Sequence, residues 1–216
     1  MNLAREKLDG LGKMSIEKIL SVKKQIEKDF SKLNPKKIEL FFEEFSKDKR
    51  NRSFIDYYNK TVLNQEKIDF GEFKSQWGIQ GMKKTVYSFF DKNFDRRLKK
   101  EITNEKDIQK FFEDYCCKER KEYTFCTKLF HTVLPREFPP VDNAIREKFG
   151  LQEEEFMKSV LVIKKAYELF INHNQKKIEP IRIVLSQSKF DYLKPERLSD
   201  LRILDMYYWF NENHKQ

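Results

Sequence analysis

The sequence contains few of the residues that β-rich folds need at their turns. It has only 6 glycines and 6 prolines in 216 residues. An all-β sandwich or barrel turns every few residues and uses both residue types at those turns. The composition therefore disfavours an all-β fold.

Cysteines and long apolar runs are also scarce. The three cysteines include the adjacent pair Cys116 and Cys117, which does not suit a disulfide framework. We expect reduced thiols and a cytoplasmic location. No apolar run reaches the roughly 20 residues that a membrane span requires, and the first residues have no apolar signal-peptide core. We therefore expect no membrane partner.

The motifs of several enzyme classes are missing. Cys116, Cys117, Cys126 and His131 lie close together in the sequence, but adjacent cysteines on a helix point about 100° apart and do not suit one ion. A glycine-rich phosphate loop, a Gly-x-Ser-x-Gly elbow and a His-Glu-x-x-His motif are all absent from the sequence. We expect neither a bound metal nor a cofactor.

Aromatic residues, by contrast, are abundant, with 20 Phe, 9 Tyr and 2 Trp. They provide enough apolar surface for a folded core despite the high charge. Apolar residues recur at three- and four-residue steps, which is typical of helices with one buried face. The pattern predicts helices over residues 15–30, 54–63, 104–117, 123–133, 143–149 and 154–171, and others that begin at Pro35, near Met82 and after Pro195 and Ser199. Residues 70–81 are predicted as a loop that carries Trp77, and residues 181–185 as the only strand-like run. The predicted fold is an all-α, compact multi-helix globule.

The positive charge is concentrated in the first half of the chain. We expect one globular unit over residues 1–216, in which two helical lobes can flank a cleft. Residues 1–100, the basic lobe, hold 24 of the 44 Lys and Arg but only 15 of the 35 Asp and Glu, so they carry the whole net charge of +9. Residues 101–216 form the neutral lobe. The asymmetry favours an anionic partner, nucleic acid before membrane, although solvated lysine-rich helix faces have the same composition.

One segment, residues 124–150, combines a lysine and an aspartate on consecutive helices. Lys128 lies roughly 140° from the apolar face of its predicted helix, so we expect it to face solvent or a cleft. Asp142 follows the rigid Pro139-Pro140 pair and is predicted to cap the next helix. Such a pair can act as a nucleophile and a charge-stabilising partner. A solvated lysine and an ordinary helix cap have the same sequence pattern.

The segment contains, in order, Thr127-Lys128, His131, Pro135 and Phe138-Pro139-Pro140-Val141-Asp142. This pattern resembles the catalytic region of the helix-hairpin-helix DNA glycosylase superfamily, and most closely that of bacterial proteins with an 8-oxoguanine DNA glycosylase fold. A weaker resemblance extends to Leu201-Arg202-Ile203-Leu204-Asp205. The hairpin glycines that precede the lysine in the superfamily are replaced here by Lys121-Glu122-Tyr123-Thr124-Phe125-Cys126.

The resemblance implies a base excision repair function, as a hydrolase with or without lyase activity. Lys128 would attack the anomeric carbon of a flipped, possibly oxidised, nucleotide in double-stranded DNA, and Asp142 would act as acid/base and electrostatic partner. The further candidate contacts to substrate and DNA are His131, Asn143, Arg146 and Trp77. Two other functions fit the same sequence: a catalytically inactive nucleic-acid-binding protein on this scaffold, and a helical protein–protein interaction module.

Overall fold

A computed structural model describes residues 13–64, 66–79 and 123–213. Every regular element in these ranges is helical, which confirms the predicted all-α fold. The α-helices are α1 (Lys13–Phe30), α2 (Pro35–Lys47), α3 (Lys49–Tyr57), α4 (Phe70–Gln76), α5 (Tyr123–Val133), α6 (Asn143–Lys148), α7 (Phe156–His173), α8 (Gln175–Leu185) and α9 (Asp200–Asn213). A π-helix (Tyr58–Leu63) continues α3, and 3-10 helices cover Ser188–Leu193 and Pro195–Arg197. The helices predicted near Met82 and over residues 104–117 lie outside the described residues.

Side-chain caps begin several helices where the sequence predicts them. The Asn34 side chain accepts a hydrogen bond from the Lys37 amide at 2.9 Å, with Pro35 as the first residue of α2. Asp142 caps α6 in the same way, and the Ser199 hydroxyl accepts from the Arg202 amide at the start of α9 at 3.1 Å. Helix α1 begins two residues earlier than predicted, at Lys13, so Ser15 lies inside it.

The predicted loop over residues 70–81 is wrong for its first part, which forms α4. Asp69 caps this helix by accepting a hydrogen bond from the Glu72 amide at 2.8 Å. Phe70 and Phe73 are buried on one side of α4, so packing favours the helix despite the glycine at position 71. Trp77 ends the helix, and Gly78 follows with a positive φ of 62°.

The predicted strand-like run over residues 181–185 is also wrong, since it forms the end of α8. Ile181, Val184 and Leu185 are buried, whereas Ile183 is 60% exposed. This burial follows the three- and four-residue spacing of a helix and not the alternation of a strand. Tertiary packing has therefore overridden the β-propensity of the isoleucines and valine.

Helix α7 is central to the described part of the molecule. It packs along α1 and also contacts α5, α8 and α9. The buried apolar residues form one continuous cluster that runs from Ile19 in α1 to Tyr208 in α9. The rings of Phe30 and Phe170 lie 5.2 Å apart where α1 meets α7. Helices from the first and second halves of the chain therefore share a core. None of the described helices has the length and apolar character needed to cross a membrane.

Helix α5 is enclosed on all sides. Each of the eight residues from 125 to 132 is buried, including Thr127, Lys128, His131 and Thr132. Buried polar groups are stable only when they have polar partners. The partners of these four residues define the candidate site.

Candidate active site

Lys128 lies in the interior of the protein. Its side chain is buried and its Nζ atom donates a hydrogen bond to the Trp77 carbonyl oxygen at 2.9 Å. Nζ also lies 5.9 Å from the centre of the Trp77 ring. Lys128 does not face solvent, which was one of the two predicted surroundings, because neighbouring elements also cover the polar face of α5. Burial lowers the pKa of Lys128, since a charged amine is disfavoured away from water.

Asp142 lies close enough to Lys128 for the two charges to interact. The negative charge of Asp142 raises the pKa of Lys128 and so partly opposes the effect of burial. Asp142 also caps α6, where its carboxylate accepts a hydrogen bond from the Ile145 amide at 3.1 Å. The described residues contain no direct ion pair between Lys128 and Asp142. The two groups are thus electrostatic neighbours, and each is held by a hydrogen bond to other parts of the backbone.

Helix α9 adds a second charged pair to this region. Arg202 and Asp205 are buried one turn apart and form an ion pair through Nη1 and Oδ2. Three aromatic rings surround the Arg202 guanidinium, whose central carbon lies 4.7 to 5.7 Å from their centres. These rings belong to Phe54, Tyr58 and Trp77. Aromatic faces attract a desolvated cation, so the rings fix the guanidinium beside the lysine.

Lys128, Arg202 and Asp205 are buried and Asp142 is half-buried; together these four residues form a network that we call the charge cluster. The pKa of Asp205 is raised to about 7, mainly by burial and also by the charge of Asp142, whereas Arg202 and Lys128 oppose the increase. The charge of Asp205 in turn raises the pKa of Lys128, and that of Arg202 lowers it. Tyr167 from α7 lies against the cluster, since both aspartates contribute to raising its pKa after burial does. Its hydroxyl has no hydrogen-bond partner among the described residues.

Two side chains of α5 hold the segment that leads to Asp142. The Thr127 hydroxyl donates to the Val141 carbonyl at 2.6 Å, and His131 Nδ1 lies 2.6 Å from the Phe138 carbonyl oxygen. Because a carbonyl only accepts, Nδ1 carries the proton and Nε2 accepts from the Tyr58 hydroxyl at 2.8 Å. Burial lowers the pKa of His131 to about 3, and Arg202 adds to this effect, so the ring is neutral.

The predicted DNA-contact residues have different surroundings. Arg146 is buried and donates through Nη2 to the carbonyls of residues 151, 152 and 154 at 3.2, 3.0 and 2.6 Å. It therefore fixes the loop between α6 and α7. His131 is completely buried, and Trp77 packs edge-on against Phe54 with ring centres 4.8 Å apart. Only Asn143 is exposed, and its side-chain oxygen accepts from Arg146. A DNA-binding role for these four residues stays a prediction.

Sequence reasoning did not assign Arg202 and Asp205 to the site. The signal that identifies them is an i,i+3 pair of opposite charges inside the apolar run Leu201, Ile203 and Leu204. Charged residues at such positions are rarely buried unless they are paired. Tyr58 and Tyr167 were also missed, because tyrosines within apolar helices are common in ordinary cores.

Cys126 and the metal-binding candidates require one correction. Cys126 is disulfide-bonded, so the predicted reduced state is wrong for this residue. The other two cysteines lie outside the described residues. Within residues 13–64, 66–79 and 123–213, no group of three or more His, Cys, Asp or Glu side chains is arranged to hold a metal ion. Both ring nitrogens of His131 are already engaged.

A surface groove of about 360 Å³ adjoins the site. The groove lies between the π-helix, the turn after α5 and the start of α9. Its walls include Tyr58, Pro135, Arg136, Arg197 and Ser199. Tyr58 is shared between the groove and the interior, since its ring contacts Arg202 and its hydroxyl contacts His131.

No protein-family model matches the chain, and no curated protein or solved structure matches it at a significant level.

Proposed function

We propose that this chain is a DNA glycosylase-like enzyme of base excision repair, in which Lys128 attacks the anomeric carbon of a flipped nucleotide. The observation that carries the proposal is the charge cluster. Both parts of the sequence that resemble the glycosylase pattern, residues 127–142 and residues 201–205, supply its charged groups. They are about sixty residues apart in the chain. The fold brings charged groups of both parts together around Lys128, and this proximity supports the proposal.

The surroundings of Lys128 suit a nucleophilic amine. An amine must be neutral to attack, and burial lowers the pKa of Lys128 in that direction, with a further contribution from Arg202. Asp205 is a suitable acceptor for the departing proton. Its pKa of about 7 allows it to gain and lose a proton near neutral pH, as an acid–base group must.

The proposed step forms a bond between Lys128 Nζ and the anomeric carbon of the sugar. The bond from that carbon to the base breaks, and its electron pair leaves with the base, which takes a proton from solvent. The surplus proton on the amine passes to Asp205. Asp142 stabilises the positive charge that develops on the sugar in the transition state. Opening of the sugar ring then gives an imine, which borohydride can reduce to a stable amine.

DNA is the partner that this chemistry requires. To contact the sugar, the Lys128 amine must first release the hydrogen bond that it donates to the Trp77 carbonyl. The excess of 9 positive charges in residues 1–100 would contact phosphates through side chains. Because such contacts release counterions, binding should weaken steeply as the salt concentration rises.

Borohydride trapping tests the proposal. The wild-type chain is incubated with duplexes that contain an abasic site or 8-oxoguanine, and covalent adducts are counted on a denaturing gel. Lys128→Met should abolish the adduct. Lys164→Met is the matched control, because the Lys164 side chain is only 12% exposed but lies on α7 and pairs with Glu168. A wild-type chain that forms no adduct, beside a known glycosylase that does, would refute the proposal.

A second candidate is a nucleic-acid-binding protein that keeps this fold without the chemistry. The enclosure of Lys128 favours it, since the amine is occupied by the Trp77 carbonyl in this conformation. The side chains of His131 and Arg146 are likewise engaged within the protein. Duplex binding that survives in the double variant Lys128→Met/Asp142→Asn, with no turnover by either protein, would support this candidate over the enzyme.

A further inference from the structure

The segment that ends at Asp142 is held mainly through its carbonyl groups. Pro139 and Pro140 have no backbone N–H, so neither can donate a hydrogen bond. The carbonyls on either side of this pair, at Phe138 and Val141, each receive a hydrogen bond from a side chain of α5. All four residues from 138 to 141 are buried. Two hydrogen bonds to α5 thus hold the segment from Phe138 to Val141 that leads to Asp142.

The two fastening residues, Thr127 and His131, are one helical turn apart and share a face of α5. Lys128 follows Thr127 directly, so the amine and both fastening points belong to the same turn of a rigid helix. The Tyr58 hydroxyl fixes the His131 ring from its other side at 2.8 Å. The position of Asp142 relative to Lys128 is therefore determined by one small unit of structure.

We propose that Thr127 and His131 are positioning residues that hold the Asp142 carboxylate beside the Lys128 amine. This inference rests on the proposed function for the chemical roles of Lys128 and Asp142. The positioning itself has a consequence in the free protein. If the segment loosens, Asp142 moves away and its attraction for the ammonium group weakens. The amine then loses its proton at a lower pH.

The test compares two threonines of α5 in the full chain. Thr127→Val removes the hydroxyl that bonds to the segment and preserves the side-chain volume. Thr132→Val is the matched control, because Thr132 is equally buried and its hydroxyl donates to the Lys128 carbonyl within the helix at 2.9 Å. The protein is labelled with ¹³C-lysine, and the Lys128 signal is assigned by its absence from Lys128→Met. The measured quantity is the pH midpoint of that signal.

Thr127→Val should lower the Lys128 midpoint by about one pH unit, the lower end of the effect of a nearby opposite charge. Thr127→Ser, which restores a hydroxyl, should return the midpoint to the wild-type value, and Thr132→Val should leave it there. Tyr58→Phe removes the hydroxyl that bonds to the His131 ring. This variant should lower the Lys128 midpoint by a smaller amount than Thr127→Val does. A purely structural role would reduce stability in these variants without moving the midpoint.

An unchanged midpoint in folded Thr127→Val would overturn the proposal. If that variant does not fold, an unchanged midpoint in Tyr58→Phe would overturn it instead. The outcome is separable from that of the trapping experiment. A shifted midpoint without any DNA adduct would support the positioning role and refute the glycosylase function. An adduct with an unshifted midpoint would support the glycosylase function and refute the positioning role.

Discussion

The buried carboxyl group of Asp205 predicts an unusual dependence of stability on pH. Its pKa is about 7 in the folded protein, against an ordinary value of 3.8. The folded state therefore holds this proton more tightly than the unfolded state does. A group of this kind stabilises the fold at low pH, and that stabilisation is lost as the pH rises from about 4 to about 7. The loss amounts to about 3 kcal/mol between pH 4 and pH 7.

His131 acts in the opposite direction over almost the same range. Its pKa is about 3 in the folded protein, against an ordinary value of 6.5. The unfolded state therefore binds this proton more tightly, and stability increases as the pH rises from about 3 to about 6.5. The gain is also about 3 kcal/mol between pH 4 and pH 7. In the wild type the contributions of these two residues nearly cancel.

Substitution of Asp205 should expose this cancellation. Asp205→Asn removes the contribution to stability that decreases as the pH rises and leaves the contribution of His131, which increases as the pH rises. The difference in unfolding free energy, wild type minus variant, should fall by about 3 kcal/mol between pH 4 and pH 7.

Urea denaturation at half-unit steps from pH 4 to pH 7 measures this difference. The contributions of other titrating groups cancel when the two proteins are compared at each pH. Asp200→Asn, on the same helix but paired with Arg182, is the control for the removal of one carboxylate. A stability difference between wild type and Asp205→Asn that stays constant over the whole range would refute the reasoning.

Three further outcomes are expected from denaturation measurements. Lys128→Met removes a cation that lowers the pKa of Asp205, so this pKa should rise in the variant. The decrease in stability due to Asp205 should then continue above pH 7, and a decrease that ends at the same pH as in the wild type would contradict this. Arg146→Lys loses bonds to three carbonyls and should lower the unfolding free energy by about 2 to 3 kcal/mol, whereas exposed Arg136→Lys should change it by less than about 0.5 kcal/mol; equal effects would contradict it. Asn34→Ala removes the cap of α2 and should destabilise by about 1 kcal/mol, and no loss would show that the cap is dispensable.

Local signals predict those parts of the fold whose ends are determined by a few neighbouring residues. The predicted bounds of α5 are those observed. Helix α6 begins after its cap, Asp142, and ends before Gly150, which has a φ of 65° that favours glycine. The fold class follows from the same signals, because most helices in the described ranges have a clear apolar periodicity.

The errors occur where distant contacts decide the structure. In α4 and α8, a glycine and a run of β-branched residues oppose the helix, and packing against the rest of the core overrides them. The burial of Lys128 could not be predicted for a similar reason. The periodicity of α5 identifies its more apolar face but carries no information on what covers the opposite face. Trp77, which is distant in the sequence, covers Lys128 on that face, and Arg202 lies over the Trp77 ring.

The charge cluster is difficult to explain by stability alone. Replacement of a buried ion pair by well-packed apolar side chains is often neutral or stabilising, because removing charges from water is unfavourable. This chain is rich in aromatic residues, and phenylalanines already surround α5. It nevertheless keeps four charged groups in or beside its core, and neither the Lys128 amine nor the Tyr167 hydroxyl has an ideal set of partners. Burial favours the neutral form of the Lys128 amine, whereas the neighbouring carboxylates favour its charged form. Such a lysine is poorly suited to holding helices together and well suited to exchanging a proton. That contrast favours chemistry over architecture as the reason for the cluster.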